Sequence, residues 1–221
     1  MDFEKARFLM VEQQIRTWEV LDSAVLDLLF AVKREDFVPP AYRSLAFVDM
    51  EIPLGHGQVM MVPKLEARIV QEVAAKAGNS VLEIGAGSGY LAALLAKQAA
   101  HVTALEYFDD LSRVAVARLA QANIANVLVK CGDAAKNLAG LIGNDARFDV
   151  IVLSASVPVL PPALLNHLEV GGRLFAVVGD APAMKATVFT KTVDNTFLSD
   201  EIFETVLAPL INATQPSRFT F

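Results

Sequence analysis

The run Val81-Leu82-Glu83-Ile84-Gly85-Ala86-Gly87-Ser88-Gly89-Tyr90 joins a short apolar strand to a helix through three alternating glycines. No other stretch narrows the possible folds as far. Glycines permit the positive φ of a sharp turn and leave the backbone open to a ligand, and such a passage opens α/β sheets that bind nucleotides beyond their strand ends. The rest of the chain keeps the same rhythm. Short apolar strands are predicted at 80–84, 101–106, 126–131, 148–153 and 173–178, separated by helical spacings such as Leu111, Val114, Ala115 and Leu119. A parallel sheet covered on both faces follows. Alternating residues at 186–193 and 201–207 add an antiparallel edge.

Upstream, Leu21, Val25, Leu28, Leu29 and Val32 repeat at helical spacing behind an Asp22 cap, and Phe8, Val11 and Ile15 do so before them. Pro39, Pro40, Pro53, Gly55 and Gly57 make 36–63 a long irregular segment, of the kind that often holds function. Pro63 opens a third helix with Leu65, Ile69, Val70 and Val73 on one face and Gly78 just past its end. The expected class is α/β, a doubly wound Rossmann-like fold in a single domain. Its parts are a helical and loop region at 1–78, an α/β core at 79–180 and C-terminal strands at 181–221.

Charge and composition limit function. Lysine and arginine number 19 against 25 aspartates and glutamates, a net charge of −6 that opposes a phosphate backbone, so nucleic acid is not an expected partner. Apolar residues reach 54%, yet no run approaches the ~18 residues needed to span a bilayer, and no membrane role is expected. The charged start of the chain carries no secretory signal, which predicts a soluble, cytoplasmic protein. One cysteine, Cys131, and three scattered histidines, His56, His101 and His167, give neither a disulfide framework nor a metal site. Cys131 is expected as a small buried hydrophobe in its strand.

The glycine turn departs from the dinucleotide fingerprint, because Tyr90 stands where helix packing against a pyrophosphate site needs glycine. Glu83, two residues before the first glycine, repels phosphate and suits a ligand ammonium. Glu106 ends the second strand, where a carboxylate can bond both ribose hydroxyls. Asp133, beside Ala134, ends the third and can accept from an adenine amino group. Acids at three successive strand ends fit a cationic nucleoside, S-adenosylmethionine. The binding set is then Glu83, Gly85, Ala86, Gly87, Gly89, Glu106, Asp133 and Ala134. The bland alternative is that the acids cap helices or sit in solvent.

The whole chain resembles the protein L-isoaspartate O-methyltransferase family. The resemblance rests on Met10-Val11-Glu12-Gln13-Gln14-Ile15, Arg34-Glu35-Asp36-Phe37-Val38-Pro39, Leu54-Gly55-His56-Gly57-Gln58, the glycine turn and Leu207-Ala208-Pro209-Leu210. It implies methyl esterification of isoaspartyl residues in damaged proteins or peptides. Four positions depart from the family pattern. Met61 stands where the family places its active-site serine, with Val59 for threonine and Lys64 for histidine, and Val206 stands where an arginine is usual. Transfer of a methyl group to a carboxylate of pKa ~4 needs no general base, so loss of the hydroxyl need not end the chemistry.

Met60 is expected to pack inward and Met61 to face the cofactor side, since neighbours on an extended segment alternate. Gln58, Ser154 and Ser156 are the candidate catalytic residues in place of the missing serine. Lys64 is read as a solvated surface residue or a partner for an acceptor carboxylate, and His56 as a flexible loop residue. Three further functions stay open: a methyltransferase with a small apolar acceptor, an inactive cofactor-binding paralogue, and a nicotinamide oxidoreductase.

Overall fold

A computed structural model describes residues 2–193 and 196–216. The chain begins with helices Phe3–Met10 (α1) and Ser23–Ala31 (α2), the second capped by the Asp22 carboxylate, which accepts from Ala24 N. A π turn at Val11–Ile15 follows α1, and the buried stripe is Arg7, Met10, Val11 and Ile15. Phe8 falls off that stripe and is exposed, contrary to the helical spacing read from the sequence.

The Pro/Gly-rich segment is more ordered than its composition suggests. Strands Ile52–Gly55 (β1) and Gln58–Met60 (β2) form an antiparallel hairpin around His56 and Gly57, both at positive φ. That conformation at both central residues matches the twist of a hairpin. Pro63–Val73 (α3) begins at its proline as expected, but Ala74, at φ 47°, takes the left-handed C-terminal position rather than Gly78. The chain continues through Ser80–Ile84 (β3), Tyr90–Gln98 (α4), His101–Glu106 (β4), Asp109–Gln121 (α5), Val127–Cys131 (β5) and Ala134–Ile142 (α6). Phe148–Val157 (β6), Pro162–Asn166 (α7), Leu168–Asp180 (β7), Ala183–Lys191 (β8) and Phe197–Glu204 (β9) complete it.

Seven strands form one sheet in the order β5-β4-β3-β6-β7-β8-β9, parallel from β5 to β7 and antiparallel thereafter. Strand alternation feeds two cores. Val81, Val102, Val150, Val152 and Phe175 join the N-terminal helices on one face, while Leu82, Leu105, Ile151, Leu153 and Leu174 pack with Leu138 and Leu164 on the other. The order reverses at β3, whose neighbours are β4 and β6, so the crevice beyond these strand ends is where a ligand fits. Among the described residues no helix is long and apolar enough to cross a membrane.

Candidate active site

A cleft lies beyond β3, β4, β5 and β6. Its floor is the glycine turn, whose Gly85 and Ala86 N–H groups both donate to the Leu105 carbonyl, at 2.8 and 3.0 Å. Gly85 adopts φ +100°, and a Cβ there would lie 3.4 Å from the Ser154 Cβ. Gly85→Ala is therefore expected to cost about 1–3 kcal/mol through backbone strain, seen as a lowered melting temperature with weaker cofactor binding.

Glu83 points from β3 into the protein and is 1% exposed. Its Oε1 accepts from Ser154 Oγ at 3.2 Å, and its Oε2 is buried with no partner. Ser154 reaches it because β6 bulges against β7 between Val152 and Ser156, which turns Ser154 and Ala155 toward the cleft. Burial, with a smaller push from Glu106, raises the Glu83 carboxyl to about 8 against the opposing Ser154 hydrogen bond. An orphaned carboxylate oxygen is costly, and a ligand ammonium supplies the donor it lacks.

Glu106 is buried, and each of its oxygens is held by a backbone donor: Oε2 by Gly87 N at 2.8 Å and Oε1 by Phe108 N at 3.0 Å. One lone pair on each oxygen remains for the two hydroxyls of a ribose. Asp133 caps α6 through Lys136 N at 3.1 Å and accepts from Asn212 Nδ2 at 2.8 Å. The capping alternative thus holds for Asp133, which nevertheless lines the cleft with Gly132 and Ala134.

Of the residues expected to bind cofactor, Gly85, Gly87, Glu106, Asp133 and Ala134 line the cleft; Glu83 lies behind the turn beside Ser154. Ala86 and Gly89 sit away from the lining, with Ala86 in the core and Gly89 opening α4. Sequence reasoning missed Leu54, Val59, Leu105, Tyr107, Ile211 and the lining role of Pro209 and Leu210. Adjacency was the available signal: Leu54 and Val59 flank the His56–Gly57 turn, and Tyr107 follows Glu106.

Gln58 lines the cleft, as a candidate catalytic residue should. Ser156 lies outside this cleft but borders the adjoining groove with Val59 and Pro209; it is buried, and its Oγ donates to the Leu207 carbonyl at 2.7 Å, holding the segment whose Pro209 and Leu210 form a cleft wall. Met61 also differs from expectation. The strand ends at Met60, so alternation stops there, and both methionines join the same core. Lys64 is partly exposed and away from the cleft; its Nζ lies 2.7 Å from Asp49 and 4.1 Å from the centre of the Trp18 ring. His56 has a partner, Asp110, and Cys131 is exposed, because β5 is an edge strand. Among the described residues no cluster suited to a metal ion occurs.

A buried carboxylate lacking a cationic partner, beside a glycine turn at the reversal point of a mixed seven-stranded sheet, places the chain among S-adenosylmethionine-dependent methyltransferases. The family model for Protein-L-isoaspartate(D-aspartate) O-methyltransferase matches residues 5–215. A protein-L-isoaspartate O-methyltransferase 1 from Rhodopseudomonas palustris (strain HaA2) is 38% identical over 95% of this chain and 84% of its own. A protein-L-isoaspartate O-methyltransferase from Petrotoga mobilis is 32% identical over 96% and 98%. A Plasmodium falciparum structure assigned to the same activity, in complex with S-adenosyl-L-homocysteine, superposes with a TM-score of 0.80 at 18% identity, covering 95% of this chain and 98% of that one. The chain belongs to the protein-L-isoaspartate(D-aspartate) O-methyltransferase family.

Proposed function

We propose that this chain methylates the free α-carboxylate of isoaspartyl residues in damaged proteins, with S-adenosylmethionine as donor, in the cytoplasm. The observation that carries the reading is the orphaned Glu83 oxygen beside the cleft at the strand ends, in a chain of this family. An exposed, unpaired Cys131 suits a reducing compartment. The whole chain is taken as one methyltransferase unit, with the N-terminal hairpin supplying the roof of the site.

When bound, the cofactor supplies an electrophilic methyl group on a sulfonium. Glu83 is assigned its ammonium, Glu106 its ribose and Asp133 its adenine amino group. The acceptor is already an anion near neutral pH, so the protein's task is to position it and exclude water. Val59 and Pro209 border both the cofactor cleft and a wider groove lined by Glu51, Met184, Val206 and Leu207, which is the proposed acceptor side. Among the described residues no basic side chain lines that groove, and its apolar floor supports a second reading in which the acceptor is a small apolar molecule.

Ser154 is the serine assigned to the site, acting through Glu83. Ser154→Ala is expected to weaken cofactor binding about tenfold, since it removes a hydrogen bond to a charged group. Ser156→Ala is expected to lower the melting temperature instead, with binding changed less than threefold, so calorimetry on both variants separates the roles. The acceptor is tested by incubating an isoaspartyl peptide with the chain and S-adenosylmethionine and then treating it with base. Methanol release supports ester formation; methylation of small apolar acceptors with no peptide ester favours the second reading.

A further inference from the structure

The tip of the β1–β2 hairpin is fastened to the opposite wall of the cleft. His56 Nε2 lies 3.0 and 2.9 Å from the two carboxylate oxygens of Asp110, and its ring stacks on Phe108 with centroids 4.1 Å apart and planes 8° from parallel. These groups sit 54 residues apart in sequence and join two elements that meet at the cleft. His56 and Asp110 are both largely exposed, and neither belongs to the buried core.

What the contact closes is visible from the lining. The hairpin arms contribute Leu54, Gln58 and Val59 to the cleft, and the end of β4 with the turn after it contributes Glu106 and Tyr107. Leu54 reaches over the glycine turn, its Cδ1 3.2 Å from where a Cβ on Gly87 would lie. Phe108, the ring beneath His56, donates its N–H to Glu106 Oε1, the carboxylate assigned to the ribose. The fastening therefore ties the hairpin to the same short segment that fixes Glu106.

We propose that His56, Asp110 and Phe108 form a clip that holds the hairpin shut over the bound nucleoside, with His56 as a positioning residue that sets the residence time of cofactor and product. The proposal rests on the assignment of this cleft to S-adenosylmethionine. An exposed hydrogen bond and an aromatic stack are individually modest, and together they change an opening equilibrium by about tenfold. Opening of the lid is the step they oppose, so the effect falls on dissociation more than on association.

The test is stopped-flow dissociation of S-adenosylhomocysteine from the full chain and three variants. His56→Asn removes the ring while tolerating the positive φ of the turn, and Asp110→Ala leaves the turn untouched. His56→Asn is expected to release the nucleoside about tenfold faster with an unchanged melting temperature. The double variant is expected to be no faster than His56→Asn alone, because both changes break one contact. Unchanged dissociation in both single variants, from a wild-type chain that binds, overturns the clip and leaves the cofactor assignment standing. A wild-type chain that binds no S-adenosylhomocysteine overturns both.

Discussion

Glu83→Gln is expected to weaken binding of S-adenosylhomocysteine about 10²-fold or more while leaving the unliganded fold as stable as before or slightly more so. The first half follows from removing the charge assigned to the ligand ammonium at a buried position, where truncating one partner of a buried charged pair costs about 2–5 kcal/mol. The second follows from the proton. Burial pushes the Glu83 carboxyl up to about 8, so near neutral pH the unliganded side chain is mostly the uncharged acid that glutamine mimics. A residue serving only the fold would show the opposite pairing, with lost stability and little change in binding.

The same group fixes a pH dependence. The ammonium needs the carboxylate form, so below about 8 binding must expel a proton from Glu83. Affinity is expected to rise from pH 6 to pH 8 and then level, and to lose that Glu83-dependent rise in Glu83→Gln, read by titration calorimetry in buffers of different ionisation enthalpy. Stability of the unliganded chain runs the other way. A folded-state value raised from 4.5 to about 8 contributes stability that is complete below 4.5 and is lost as pH climbs through 8.

Arg34→Met is expected to be the most damaging single substitution away from the cleft. Arg34 is fully buried; its guanidinium bonds the Glu66 carboxylate, the Ala46 carbonyl at 2.8 Å and the Met61 carbonyl at 2.7 Å. Desolvation lowers it only to about 10, so it stays charged at neutral pH. Removing it strands Glu66, itself buried, at a cost of about 3–5 kcal/mol, or roughly 10 °C in melting temperature for a chain of this size. Arg34→Met with Glu66→Leu is expected to recover at least half of the loss, because no buried charge is then left alone. Thermal unfolding of the three chains checks this. Cofactor affinity is expected to fall with the single variant, since Arg34 anchors the joint between β2 and α3 and lies 5.2 Å from the Tyr90 ring that opens α4.

What the sequence made legible was what local pattern can carry. Ser80–Ile84 and His101–Glu106 match their predicted bounds, since each is a buried strand with an unambiguous apolar run. Bounds drifted where burial faded. The edge strand β9 lies at Phe197–Glu204 rather than 201–207, and with most of its residues exposed it has little alternation to read. Likewise β6 runs to Val157, four residues past the apolar run, because its pairing resumes after the bulge that turns Ser154 inward. The three acidic strand ends were visible in the sequence, and the partnerships around them were not. Ser154 meets Glu83 and His56 meets Asp110 only through the assembled fold, at separations of 71 and 54 residues. The hairpin was hidden because strands of four and three residues among prolines and glycines look like a loop.

The most direct test of the account is methyl transfer from labelled S-adenosylmethionine to an isoaspartyl peptide and to its normal aspartyl counterpart, with cofactor binding measured on the same preparation. The account predicts binding and selective labelling of the isoaspartyl peptide, with Met61 at the position where the family pattern has serine. Binding without any isoaspartyl labelling would contradict it.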